Sequence, residues 1–95
     1  MSNVLTGAEI DSALRGLPGW QKDGQSIVRV FEFKNFAEAM VFVNQIAGLA
    51  EAANHHPDIT IQYNKVTLAL TSHDSGGVTA RDIKMAGTIN DSAGK

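Results

Sequence analysis

The run HHPDITIQYNKVTLALTSHD, residues 55–74, decides the fold. Ile59, Ile61 and Tyr63 alternate with Thr60 and Gln62; then Val66, Leu68 and Leu70 alternate with Thr67, Ala69 and Thr71. Alternation with a period of two marks two half-buried strands. Between them lies Asn64-Lys65, and Asn accepts the positive φ that a two-residue hairpin turn needs. With that turn, Tyr63 faces Val66, Ile61 faces Leu68 and Ile59 faces Leu70. The same count sets His56 opposite His73, projecting from the face away from the Ile59/Leu70 layer or from its frayed end. Directly opposed residues have Cβ atoms about 4.5–5.5 Å apart, so two imidazoles can flank one small molecule. A slip of one residue would turn the apolar set to solvent. Pro57 can end or bulge the pairing, which makes the His56 step the least secured.

Outward from the hairpin, residues 35–54 read as a long helix. Phe36, Ala39, Met40, Val43, Ile46, Ala47, Ala50 and Ala53 share one face, and Phe42 and Leu49 widen it to about half the circumference. So broad an arc fits a deeply buried helix, or one whose flank meets a second subunit near Phe42 or Leu49. Near the start of the chain, Thr6 and Glu9 form a capping box; Ile10, Ala13, Leu14 and Leu17 follow at helical spacing and Pro18-Gly19 stops the run. Residues 20–23 and 26–33 read as two strands around Gly24. After the Ser75-Gly76-Gly77 breaker, Thr79 caps a last helix, with Asp82 at its third position. The order is α-β-β-α-β-β-α. It describes an α+β domain: a four-stranded antiparallel sheet with three helices packed on one face.

Composition bounds the rest. A chain of 95 residues with 43% hydrophobic and 19% charged residues is expected to form one domain over residues 1–95 and not to be disordered. It has no cysteine to staple so small a core, so self-association is expected. The net charge of −2 and the absence of any Lys/Arg run argue against a nucleic-acid partner. The first residues show no apolar leader segment. The most apolar stretch, residues 36–53, carries Glu38, Asn44, Gln45 and Glu51, so no membrane span is expected. The cytoplasm is the expected compartment.

All three histidines of the chain, His55, His56 and His73, fall between positions 55 and 73. A single histidine at a strand end usually caps a carbonyl or packs; three so close point to a shared site. Adjacent histidines chelate poorly from one regular element, pointing to opposite faces of a strand or about 100° apart on a helix. The usual metal spacings are absent, so acid–base work fits better, because imidazole both gives and takes a proton near neutral pH. Asp82 reads equally as a helix-capping carboxylate or a site residue. Glu51 is either a site residue or part of a solvated face, and Asn54 either a helix terminus or a hydrogen-bond partner. No GxSxG elbow, Cys nucleophile or phosphate-cradling glycine motif is present.

The segments Glu51-x-x-Asn54-His55-His56-Pro57-Asp58, Tyr63-Asn64-Lys65-Val66, Thr71-Ser72-His73-Asp74 and Thr79-x-x-Asp82-Ile83 resemble the pterin-4a-carbinolamine dehydratases. The likeness is densest over residues 51–86 and extends back through Gly19-Trp20 and residues 31–39. It implies a four-stranded antiparallel sheet with three helices on one side, homodimers or homotetramers, and dehydration of 4a-hydroxytetrahydropterin to quinonoid dihydropterin without a metal or cofactor. It further implies that His55, His56 and His73 are the catalytic, pterin-contacting imidazoles. Asn54, where the family often has Asp, joins Thr71, Ser72 and Asp74 in lining the pterin, the latter three largely through backbone groups. Glu51 and Asp82 match acidic positions that orient the site. The alternative class is a non-catalytic pterin-binding or protein-dimerisation module.

Overall fold

The computed structural model describes residues 3–93. Helix α1 (Gly7–Leu14) is followed by strands β1 (Gln21–Asp23) and β2 (Ser26–Glu32), then by the long helix α2 (Phe36–Ala53). Strands β3 (Asp58–Gln62) and β4 (Lys65–Leu70) and helix α3 (Ala80–Ala93) complete the chain. The strands form one antiparallel sheet in the order β1-β2-β4-β3, with the element order expected from the sequence.

Local chemistry explains the helix ends. The Thr6 hydroxyl accepts the Glu9 N–H at 3.1 Å while the Glu9 carboxylate accepts the Thr6 N–H at 2.8 Å, a complete capping box. Asn35 caps α2 by accepting the Glu38 N–H at 2.9 Å. At the other end Asn54 turns left-handed, with φ of 51°, and closes the last turn. One side of the sheet packs against the helices: Ile27 and Phe31 of β2 and Val66, Leu68 and Leu70 of β4 meet Ile46 and Ala50 of α2 and Met85 and Ile89 of α3 in one buried cluster. Phe42 belongs to that cluster, its ring 4.7 Å from Phe31 and 5.0 Å from Phe33. Phe42 therefore faces the core. The large apolar side chains that α2 leaves half exposed are Phe36 and Val41.

The hairpin register differs from the sequence count. Gln62 pairs with Lys65, Ile61 with Val66 and Ile59 with Leu68, so the turn is Tyr63-Asn64 and Tyr63 does not face Val66. His56 is consequently not a ladder partner of His73; pairing ends at Asp58 with Ala69. The reason lies outside the hairpin. The Asn64 side-chain amide donates to the Phe33 carbonyl at 2.8 Å, and the Phe33 N–H donates to the Asn64 carbonyl at 2.8 Å. Asn64 ties the hairpin tip to the end of β2, and Tyr63 takes the positive φ, 53°, in its place. The displacement is by two residues, which leaves every side chain on its original face, so alternation fits both registers.

Candidate active site

Two chain segments converge beyond the last ladder pair. The left-handed Asn54 ends α2, and the His55 N–H donates back to the Ala50 carbonyl at 3.1 Å, which sets His55 directly after the helix end. On the other side, β4 stops at Leu70 and residues 72–77 fold into a tight turn. The Ser72 carbonyl accepts the N–H groups of Ser75 at 3.0 Å and Gly76 at 2.9 Å, and the Ser72 N–H reaches the Gly77 carbonyl at 3.0 Å. Gly76 sits at φ of 85°, where a side chain would be strained. This turn carries His73 and Asp74 out toward the α2–β3 connection. The result is a cleft of about 300 Å³ lined by Asn54, His55, His56, Thr71, Ser72, His73 and Asp74. The histidines meet there through the two connections and not through strand pairing.

The surroundings of the rings differ. His55 Nε2 lies 2.5 Å from Oδ1 of Asp82, whose side chain is fully buried. Oδ2 of the same carboxylate accepts the Ser72 hydroxyl at 2.9 Å and the Thr79 N–H at 2.9 Å. Ser72 and Thr79 are buried too, their hydroxyls 2.8 Å apart. A buried carboxylate persists when its oxygens are hydrogen-bonded, and both oxygens are. Because a carboxylate has no proton to give, Nε2 donates, and in the neutral ring Nδ1 is left to accept. His56 Nε2 is 2.5 Å from Oε2 of Glu51, both groups largely in solvent, so that pair is weak. His73 lines the cleft with no carboxylate partner among the described residues.

Asp74, on the rim, pairs with Arg81 at 2.5 Å; the guanidinium hydrogen bond holds its carboxyl below the usual aspartate range. The Thr71 hydroxyl donates to the Gln25 carbonyl at 2.6 Å, so its side chain is engaged elsewhere. Beside the cleft, His55 also walls a groove of about 220 Å³ between Leu49 and Ala53 of α2 and Arg81, Lys84, Met85 and Thr88 of α3. Among the described residues no cluster of three or more His, Cys, Asp or Glu is arranged to hold a metal ion.

The structure thus brings Asn54, His55, His56, Thr71, Ser72, His73 and Asp74 to one cleft, with Asp82 behind His55 and Glu51 beside His56. Asp82 accepts the Thr79 N–H as a capping carboxylate through one oxygen and contacts His55 Nε2 through the other. Sequence reasoning did not place two neighbours in the site. Thr79 was legible as a helix cap and as the start of the segment Thr79-x-x-Asp82-Ile83, and Arg81 carried no signal, because its partner Asp74 lies across a turn.

The family model described as Pterin 4 alpha carbinolamine dehydratase matches residues 3–92. A Koribacter versatilis protein named for pterin-4-alpha-carbinolamine dehydratase is 63% identical over 91 residues, covering 96% of this chain and 97% of its own. A crystal structure of a transcriptional coactivator/pterin dehydratase from Brucella melitensis superposes with a TM-score of 0.89 at 45% identity, covering 94% of this chain and 97% of that one. A pterin dehydratase-like protein, identified as a RuBisCO assembly factor in the alpha-carboxysome, is 22% identical. It covers 80% of this chain and 88% of its own with a TM-score of 0.65, a likeness of fold alone.

Proposed function

The chain belongs to the pterin 4 alpha carbinolamine dehydratase family, and from that premise we infer that it is a hydro-lyase converting 4a-hydroxytetrahydropterin to quinonoid dihydropterin in tetrahydropterin recycling. The carrying observation is the cleft that gathers His55, His56 and His73, with His55 held through Nε2 by buried Asp82. The reaction removes the proton on pterin N5, forms the C4a=N5 double bond and breaks the C4a–O bond, the hydroxyl leaving as water once protonated. No electron is exchanged, so acid and base suffice, each worth about 10²–10⁴-fold.

His55 Nδ1 is the acceptor that the Asp82 contact leaves open, so His55 suits the base that takes a proton. His73, which lines the same cleft, suits the acid for the departing hydroxyl. His56, tied to Glu51 at the solvent edge, contributes to binding as well as to proton transfer. The Asn54 side and the backbone of Thr71, Ser72 and Asp74 supply the wall for a flat ring. The enzyme acts as a cytoplasmic homodimer or homotetramer; the half-exposed Phe36 and Val41 of α2 support self-association. No helix among the described residues is long and apolar enough to cross a membrane.

Stopped-flow dehydration of synthetic 4a-hydroxytetrahydropterin tests the activity, and light scattering at micromolar concentration tests the assembly. Acceleration over the spontaneous reaction is expected; its absence with dihydropterin still bound would favour a second reading. That reading, a non-catalytic pterin-binding or protein-dimerisation module, draws support from the coactivator description of the Brucella melitensis neighbour.

A further inference from the structure

We propose that Ser72 and Thr79 are positioning residues for the reaction, acting through Asp82 on His55 by a one-directional hydroxyl chain. This rests on the dehydratase reading for its kinetic consequence but not for its geometry. The direction follows from counting protons. Asp82 can only accept, so the Ser72 hydroxyl donates its single proton to Oδ2 at 2.9 Å. Ser72 Oγ must then accept at the 2.8 Å contact with Thr79 Oγ1, which makes Thr79 the donor there. Thr79 Oγ1 in turn accepts the Arg81 N–H at 3.3 Å, which orders the chain from the first turn of α3 inward.

Every member is out of solvent: Ser72 is 1% exposed, Thr79 and Asp82 0%. No buried side-chain polar atom among the described residues lacks a partner. A network so closed has one arrangement of protons, and that arrangement fixes the carboxylate plane and hence the His55 ring. Ser72 also joins the two halves of the site. Its side chain reaches the support of His55, while its backbone holds the turn carrying His73 and Asp74. With its one proton given to Asp82 and its side chain buried, the Ser72 hydroxyl has no proton free for the pterin; what Ser72 offers the cleft is backbone.

The test is a double-mutant cycle with an independent spectroscopic arm. Ser72→Ala in the otherwise native protein should lower kcat about 10-fold with KM changed less than about 2-fold, since misorientation of a reacting group is costly without loss of binding. The same substitution in a His55→Ala background should cost less than about 2-fold, because the residue acts through that ring. Thr79→Val, which keeps the volume and the N–H to Asp82, should have a smaller effect, and Thr79→Ser should restore native kinetics. Imidazole 15N spectra should show His55 as a single Nε2–H tautomer in the native protein and a tautomer mixture in Ser72→Ala. Equal losses in both backgrounds, or a His55 tautomer indifferent to Ser72, would overturn the proposal. The spectra answer even if no dehydratase turnover is found, which would instead defeat the reading of the activity.

Discussion

His55 and His56 are neighbours in the chain with opposite surroundings, one on a buried carboxylate and one on a solvated one. That contrast sets unequal expectations for their removal. His55→Ala and His73→Ala should each slow dehydration by about 10²–10⁴-fold, with dihydropterin affinity, read by fluorescence titration, falling far less. The double variant should be little slower than the slower single one, because groups acting as a unit are not additive. His56→Ala should weaken binding together with rate. A second expectation at this scale concerns Asp74. Its carboxyl is held below the ordinary range by Arg81, so whatever the pair contributes is present above the ordinary aspartate pKa. That contribution disappears as pH falls through the depressed value. In Arg81→Gln the Asp74 carboxyl, followed by 13C NMR, should therefore titrate at higher pH than in the native protein. An unchanged titration would mean that the ion pair does not form in solution.

The β3–β4 hairpin is the element whose turn departs most from propensity. Tyr63 occupies the positive-φ corner that glycine or asparagine would normally hold, with its ring two-thirds exposed. A left-handed residue with a Cβ costs roughly 1–2 kcal/mol, and glycine forfeits roughly 0.5–1 kcal/mol of unfolded-state entropy. Tyr63→Gly should thus be stabilising by up to about 1 kcal/mol, raising the thermal midpoint by a few degrees in a domain of this size. A fall in the midpoint would show that the tyrosine ring stabilises the turn by more than its backbone strain costs. The turn on Asn54 follows the opposite logic: asparagine tolerates the left-handed cap, and the conformation releases the chain from α2 at the point where His55 must enter the site.

Across the whole molecule, Asn90 fastens three separate parts together. Its Oδ1 accepts the Trp20 indole N–H at 2.8 Å and the Arg29 guanidinium at 2.6 Å, and its amide donates to the Pro18 carbonyl at 3.2 Å. The connection before β1, strand β2 and helix α3 are joined at that side chain. Gly19 belongs to the same knot, because a Cβ there would lie 2.5 Å from Nε of Arg29 and the backbone has φ of 89°. Asn90→Ala leaves the buried Trp20 N–H unpaired, at a cost of about 1–3 kcal/mol. Chemical denaturation should show that loss, while Asn90→Asp, which keeps an acceptor facing Arg29, should lose much less.

The alternating runs of residues 59–71, the helical arc of residues 35–54 and the Thr6/Glu9 capping box determined the elements and their order, because each is a local pattern that survives without neighbours. The spacing of the histidines around that hairpin, with the TSHD segment, was enough to indicate the family. Tertiary structure decided the register, since a two-residue shift preserves the faces and the tie between Asn64 and Phe33 belongs to the observed register. It also decided that Phe42 faces the sheet, because a wheel gives the width of an apolar arc and not which part of it meets the core. The support of the site was the least legible. Asp82 lies 27 residues from His55, and Ser72 reaches it only because the turn at residues 72–77 folds back onto α3, whereas the Thr79 contact is a local helix cap. Hydrogen bonds between segments so far apart leave no periodicity in a sequence; they exist only once the packed core has brought the segments together.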